Sequence, residues 1–89
     1  MEMPIYGGIV TRSTEYRLVV MHEDCDEALA NTHSQRYAAA LEKVGWKPAG
    51  TDLDWSISLD RFFDKATSKA TVSVRKMGNS CEAAITVIE

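Results

Sequence analysis

At 89 residues with a formal net charge of −3, the chain has room for one domain, residues 1–89, and one core. A chain of this mass buries about 64% of its unfolded surface on folding. A hydrophobic fraction of 45% beside 26% charged residues excludes a disordered polymer. Apolar runs of only a few residues exclude a transmembrane helix, and residues 1–10 hold neither the basic n-region nor the apolar h-region of a secretory leader. The expectation is therefore a cytoplasmic protein, read as a complete small gene product because it starts at a methionine and ends on a strand-like run. In that compartment Cys25 and Cys81 are expected as free thiols, and their spacing fits no zinc framework.

In chain order, residues 5–11 form a short apolar stretch broken by Gly7-Gly8, an edge strand or a bulge. Arg12-Ser13-Thr14 is polar and turn-like. Residues 15–23 alternate Tyr16, Leu18, Val20 and His22 with Arg17, Val19, Met21 and Glu23. Apolar groups on both faces predict a central strand.

The spacing then predicts a long helix over residues 25–44. Asp24 is the expected N-cap, Glu27 completes a capping box, and Asp26 and Glu27 suit the positive end of the helix dipole. Leu29, His33, Tyr37, Ala40, Leu41 and Val44 share one face, with Glu27, Asn31, Ser34, Gln35 and Glu42 mostly opposite. Gly45 is a natural left-handed terminator, and Pro48 blocks resumption.

Residues 53–59 alternate cleanly, with Leu53, Trp55, Ile57 and Leu59 on one side, and predict a half-buried strand. Leu59, Phe62, Phe63 and Ala66 fit either a continuation of strand to about Phe63 or a short helix, and the strand is preferred. Residues 70–77 and 82–88 are further strands joined by a turn at Gly78-Asn79-Ser80. The predicted fold is α+β: one long helix packed on an antiparallel sheet of four to five strands, in the order β-β-α-β-β-β. The helix end Leu41-Glu42-Lys43-Val44-Gly45-Trp46 followed by a strand resembles the first half of ferredoxin-like domains, over a minority of the chain. That resemblance implies a second helix, for which residues 59–66 are the place, and no function is carried across with it.

Charge is unevenly spread. Glu23, Asp24, Asp26 and Glu27 crowd the helix start, whereas Arg61, Lys65, Lys69, Arg75 and Lys76 oppose the single acid Asp64 over residues 61–76. The acidic run lacks the alternating oxygen ligands and glycine of a calcium loop, and neither a metal nor a cofactor is expected. His22, Cys25 and His33 could offer a thiol nucleophile with a histidine base, but the four neighbouring acids disfavour a thiolate. His33 within the apolar stripe reads as a satisfied core histidine, neutral and hydrogen-bonded to a sheet or side-chain group, with a pH-sensitive packing switch as the sharper alternative.

No dinucleotide, phosphate-loop, zinc-protease or nucleophile-elbow pattern is present. Asp52, Asp54 and Asp60 alternate on a wet face, a poor setting for acid–base chemistry. The first functional reading is a small non-enzymatic regulator, inhibitor or antitoxin-like, acting by protein contact through Glu23, Asp24, Asp26 and Glu27, with a homodimer through a sheet edge as one form of that contact. The alternative is a nucleic-acid-binding module using Arg61, Lys65, Lys69, Arg75 and Lys76. The third reading is a small enzyme using His22, Cys25 or His33.

Overall fold

The structure, a computed structural model, describes residues 3–89. Their elements are β1 (Ile9–Ser13), β2 (Arg17–His22), α1 (Glu27–Lys43), β3 (Lys47–Asp54), β4 (Ser58–Lys65), β5 (Ser68–Met77) and β6 (Ser80–Ile88). The strands form one six-stranded antiparallel sheet in the order β1-β2-β6-β5-β4-β3. The class is α+β as expected, with six strands where four to five were predicted. Residues 58–65 are strand rather than helix, so the second helix of the ferredoxin-like resemblance is not formed.

Alternation decides which side of the sheet is core. Leu18, Val20 and His22 on β2 face the helix, aligned with Ile85, Ala83 and Cys81 on β6. Ile85 and Ala83 in turn sit beside Val72 and Val74 of β5, which neighbour Arg61 and Leu59 of β4. From α1 the core receives Ala30, His33, Ser34, Tyr37, Ala38 and Leu41, a stripe stepping three and four residues at a time. The expected stripe is thus rotated. Leu29 and Val44 are exposed, whereas Ser34 is fully buried because its Oγ accepts a 2.7 Å hydrogen bond from Arg61 Nε. The opposite side of the sheet carries no second layer among the described residues.

The helix begins later than the sequence indicates. Asp24 takes φ +51°, a left-handed conformation that aspartate tolerates better than most residues, and so does not cap. Asp26 is the N-cap: its Oδ1 accepts from Leu29 N–H at 2.9 Å. At the other end Gly45 (φ +99°) terminates the helix as expected. Gly45 N–H donates to Glu42 O and Trp46 N–H to Leu41 O, the paired bonds of a Schellman motif.

Two departures lie in the hairpin β3–β4. Residues 53–59 are not one strand, because residues 55–57 turn. Asp54 Oδ1 accepts from both the Ser56 amide and its hydroxyl, and Ile57 N–H donates to Asp54 O, so a local turn wins over extension. β3 itself (KPAGTDLD) has poor strand chemistry and exposes all eight residues. As the outermost strand, with a register shift between Pro48 and Gly50, it tolerates both residues. β1 is the other edge and carries a bulge between Val10 and Arg12, in line with the expected edge strand or bulge, although it runs over Arg12 and Ser13.

The β4–β5 turn holds Ala66 at φ +55°, a conformation costly for a residue with a Cβ. Ala66→Gly is accordingly expected to raise stability by about 1 kcal/mol, seen as a higher urea midpoint at unchanged slope. A lower midpoint would show that unfolded-state entropy outweighs the relieved strain.

Candidate functional site

The sequence singled out three groups of residues, and the structure treats them differently. The basic run does not assemble. Arg61 lies on the helix side of the sheet, bonded to Ser34. Lys65 Nζ donates to Val44 O at the helix C-terminus and lies over the Trp46 ring. Lys69 pairs with Asp64 at 2.6 Å and Arg75 with Glu82 at 3.1 Å. Lys76 lies opposite Cys81 at the far end of β5. Four of the five bases are therefore engaged within the protein, and they are divided between the two faces of the sheet.

The cysteines are not free. Cys25 and Cys81 form a disulfide with their Cα atoms 5.6 Å apart. The fold produces the proximity: β6 starts beside the end of β2, with Cys81 opposite His22, and Cys25 N–H donates to Asn79 O in the β5–β6 turn. This corrects the expectation of two thiols, and with it the idea of Cys25 as an activated nucleophile, since a sulfur held in a disulfide carries no thiolate.

The same bond fixes the acidic corner. Glu23, Asp24, Asp26 and Glu27 are all exposed, and Cys25 in their midst is tied to the sheet. Asp24, Asp26 and Glu27 form one wall of a groove of about 280 Å³, with Trp55, Lys76, Gly78 and Asn79 completing it. Among the described residues no group of three or more potential ligands could hold a metal ion. Such a wall, with a half-buried indole beside it, suits a cationic side chain, which carboxylates attract and an aromatic face accommodates.

The third group shows a juxtaposition that sequence spacing could not supply. His22 and His33 stack with ring centroids 3.8 Å apart and planes 14° from parallel. His22 Nε2 lies 2.8 Å from Tyr37 Oη, and Tyr37 Oη–H donates to Ile5 O at 3.2 Å. The assignment that satisfies all three groups is a relay: His22 Nε2–H to Tyr37, Tyr37 O–H to Ile5. His33 is buried as expected of a core histidine, but its Nδ1 has no hydrogen-bond partner. Burial, reinforced by His33, lowers the His22 pKa from 6.5 to about 4. Burial and the Arg36 charge lower that of His33, and burial raises that of Tyr37.

These directions set a pH dependence. A histidine whose folded pKa lies below its unfolded value leaves stability intact above about pH 6.5 and erodes it as pH falls towards 4, because the unfolded chain binds the proton first. The loss from His22 is expected to reach up to about 3 kcal/mol, with His33 acting in the same direction. Urea titrations of wild type and His22→Gln at pH 7 and pH 4.5 check this. Equal losses in both proteins would remove His22 as the cause.

Among the described residues no helix is long and apolar enough to cross a membrane. Compared with protein-family models, curated proteins and solved structures, the chain matches none.

Proposed function

We propose that this protein is a non-enzymatic binding protein that acts by contact with a basic protein partner, and that the corner formed by Glu23, Asp24, Asp26 and Glu27 makes the contact. One observation carries the reading: the disulfide ties Cys25, at the centre of the acidic run, to Cys81 in the sheet. Four exposed carboxylates therefore project from a backbone held in place, which reduces the ordering cost of binding. Trp55 adds an apolar surface beside them. Complementary charge of this kind favours specificity and fast association more than raw affinity. A regulator or inhibitor needs no more chemistry than this.

The disulfide also supports residence in an oxidising compartment rather than the cytoplasm expected from the sequence. The outer edge of β3, exposed along its whole length, supports a second mode of contact, strand addition by a partner or by another copy. The nucleic-acid alternative has less support, because Arg61, Lys65, Lys69 and Arg75 already have partners within the chain.

Affinity capture with the oxidised protein on extract of its host tests the proposal. The expected result is a basic protein retained at low salt and released as ionic strength rises. Retention of no protein at low salt, or retention of nucleic acid alone, would overturn it.

A further inference from the structure

The segment before β1 is more than a lead-in. Met3, Ile5 and Tyr6 pack against the core, although none of them is in a strand. Tyr6 meets Tyr37 edge-on with centroids 5.4 Å apart, and its hydroxyl donates to Arg36 O at 3.3 Å. Ile5 O receives both Gly8 N–H, at 2.9 Å, and the Tyr37 hydroxyl. At Gly8 the backbone comes so close to β2 that a Cβ would lie 2.3 Å from Val20 Cγ1, 2.7 Å from His22 Cε1 and 3.0 Å from His22 Nδ1. Only glycine fits there without movement of its neighbours. Residues 3–8 therefore lie as a strap across α1 and β2, fastened at Tyr37 and seated on the edge of the His22 ring.

That ring edge is where a second proton must go. In the relay Nε2 of His22 already carries its proton towards Tyr37, so protonation adds N–H at Nδ1, against Gly8. The new charge would sit 3.8 Å from the His33 ring, which burial likewise disfavours in its charged form and which has its own buried, unpartnered Nδ1. Among the described residues no carboxylate offsets it. From α1 the cluster faces Tyr37 and the cation Arg36; from the strap, Tyr6; from β6, Cys81 within its disulfide. Glu23 and Asp24 follow His22 but are exposed, and no carboxylate of the described residues lies within ion-pair distance of either histidine.

We propose that residues 3–8 are an acid-released strap: protonation of the stacked His22–His33 pair frees the strap from Tyr37 and Val20 while the sheet stays folded. Release solvates the Nδ1 edge of His22 and so restores ordinary histidine behaviour, which is what drives the opening. It also takes Met3 and Pro4 away from a cavity of about 370 Å³ at the other end of the helix, walled by Leu41, Val44, Trp46 and Val87. The acid form thus presents an apolar groove along α1 that the neutral form keeps closed at one side. A pKa that falls from 6.5 to about 4 on closure sets a ceiling of about 300-fold on the change in the opening equilibrium across that range.

Residue-resolved hydrogen exchange with proton NMR, between pH 7 and pH 4.5, tests the strap separately from the sheet. After correction for intrinsic rates, Gly8 N–H is expected to exchange at least tenfold faster at pH 4.5 relative to Val72 and Ile85 N–H. The nuclear Overhauser contact between the Tyr6 and Tyr37 rings should vanish over the same range. The double variant His22→Gln/His33→Phe should hold both observables constant with pH. If that variant does not fold, Tyr37→Phe serves: loss of the Ile5 tie should leave Gly8 fast at pH 7 already, with little further change on acidification. Exchange at Gly8 that rises no more than at Val72, or that rises equally in the non-titrating variant, would overturn the proposal, as would a pH response in Tyr37→Phe as large as in wild type.

Discussion

Reduction of the Cys25–Cys81 bond is expected to lower stability by about 4 kcal/mol. The two cysteines are 56 residues apart, and the loop they close contains α1 and all of β3 to β5. Opening it returns to the unfolded chain the freedom that the crosslink had removed. For a domain of this length, total stability is on the order of 5–13 kcal/mol, so the bond accounts for a large share. Both sulfurs are buried, and the Cys25→Ala/Cys81→Ala protein should behave like the reduced one, with an added cost for lost packing. Urea denaturation with and without reductant, with thiol content checked by mass, measures the effect. Coincident midpoints would mean that the unfolded chain is already constrained by other means. The functional consequence follows the same route. Without the bond the acidic corner keeps Cys25 N–H to Asn79 O and the Asp26 cap, but loses its covalent tie to the sheet.

The second large effect is expected at Tyr37, which is fully buried and joins three parts of the molecule. Its ring packs against Tyr6 and near His22, and its hydroxyl links β2 to the strap. Tyr37→Ala should cost about 4 kcal/mol, the range for removing a large buried aromatic side chain. Tyr37→Phe should cost about 1–2 kcal/mol, because it keeps the ring but leaves His22 Nε2 with no partner. Ile5 O loses the Tyr37 donor in the same change, and with it a tie that holds the strap to α1. Thermal and urea melts of the two variants at pH 7 separate packing from hydrogen bonding. Equal losses would place the whole contribution in the hydroxyl, and a neutral Phe variant would remove the relay from the account.

Much of the fold was legible in the sequence because periodicity and burial coincide there. β2 reads as a central strand and is one: Val19 on its uncovered face is buried by its neighbours just as Leu18 and Val20 are by the core. The helix and its Gly45 stop were equally plain. Its start was misplaced by two residues, since Asp24 and Asp26 are chemically equivalent caps and only the constraint at Cys25 selects the second. β3 escaped notice because an edge strand with both sides wet needs no apolar alternation. The alternation of Leu53, Trp55, Ile57 and Leu59 pointed to a strand where Asp54 makes a turn.

The site was less legible, for a reason of distance along the chain. His33 stood out as an oddity of the apolar stripe, but its partner His22 is set by the path of the helix over β2, which no local pattern encodes. The disulfide depends on β6 pairing with β2, a contact between the two ends of the chain. The acidic residues were visible; what holds them was not. Helical spacing alone puts Ser34 on the wrong side of the helix, because the hydroxyl's partner, Arg61, comes from a strand 27 residues away.

The claim that the stapled acidic corner is the binding surface meets its most direct test in one affinity comparison. The Kd for the captured partner is measured for wild type and for Asp24→Lys/Glu27→Lys, a pair that spares the Asp26 cap, at low and at moderate salt. The double variant is expected to bind at least tenfold more weakly at low salt, with a smaller difference at moderate salt. An unchanged Kd in the double variant, with binding lost instead on Ser73→Arg in the uncovered sheet face, would contradict it.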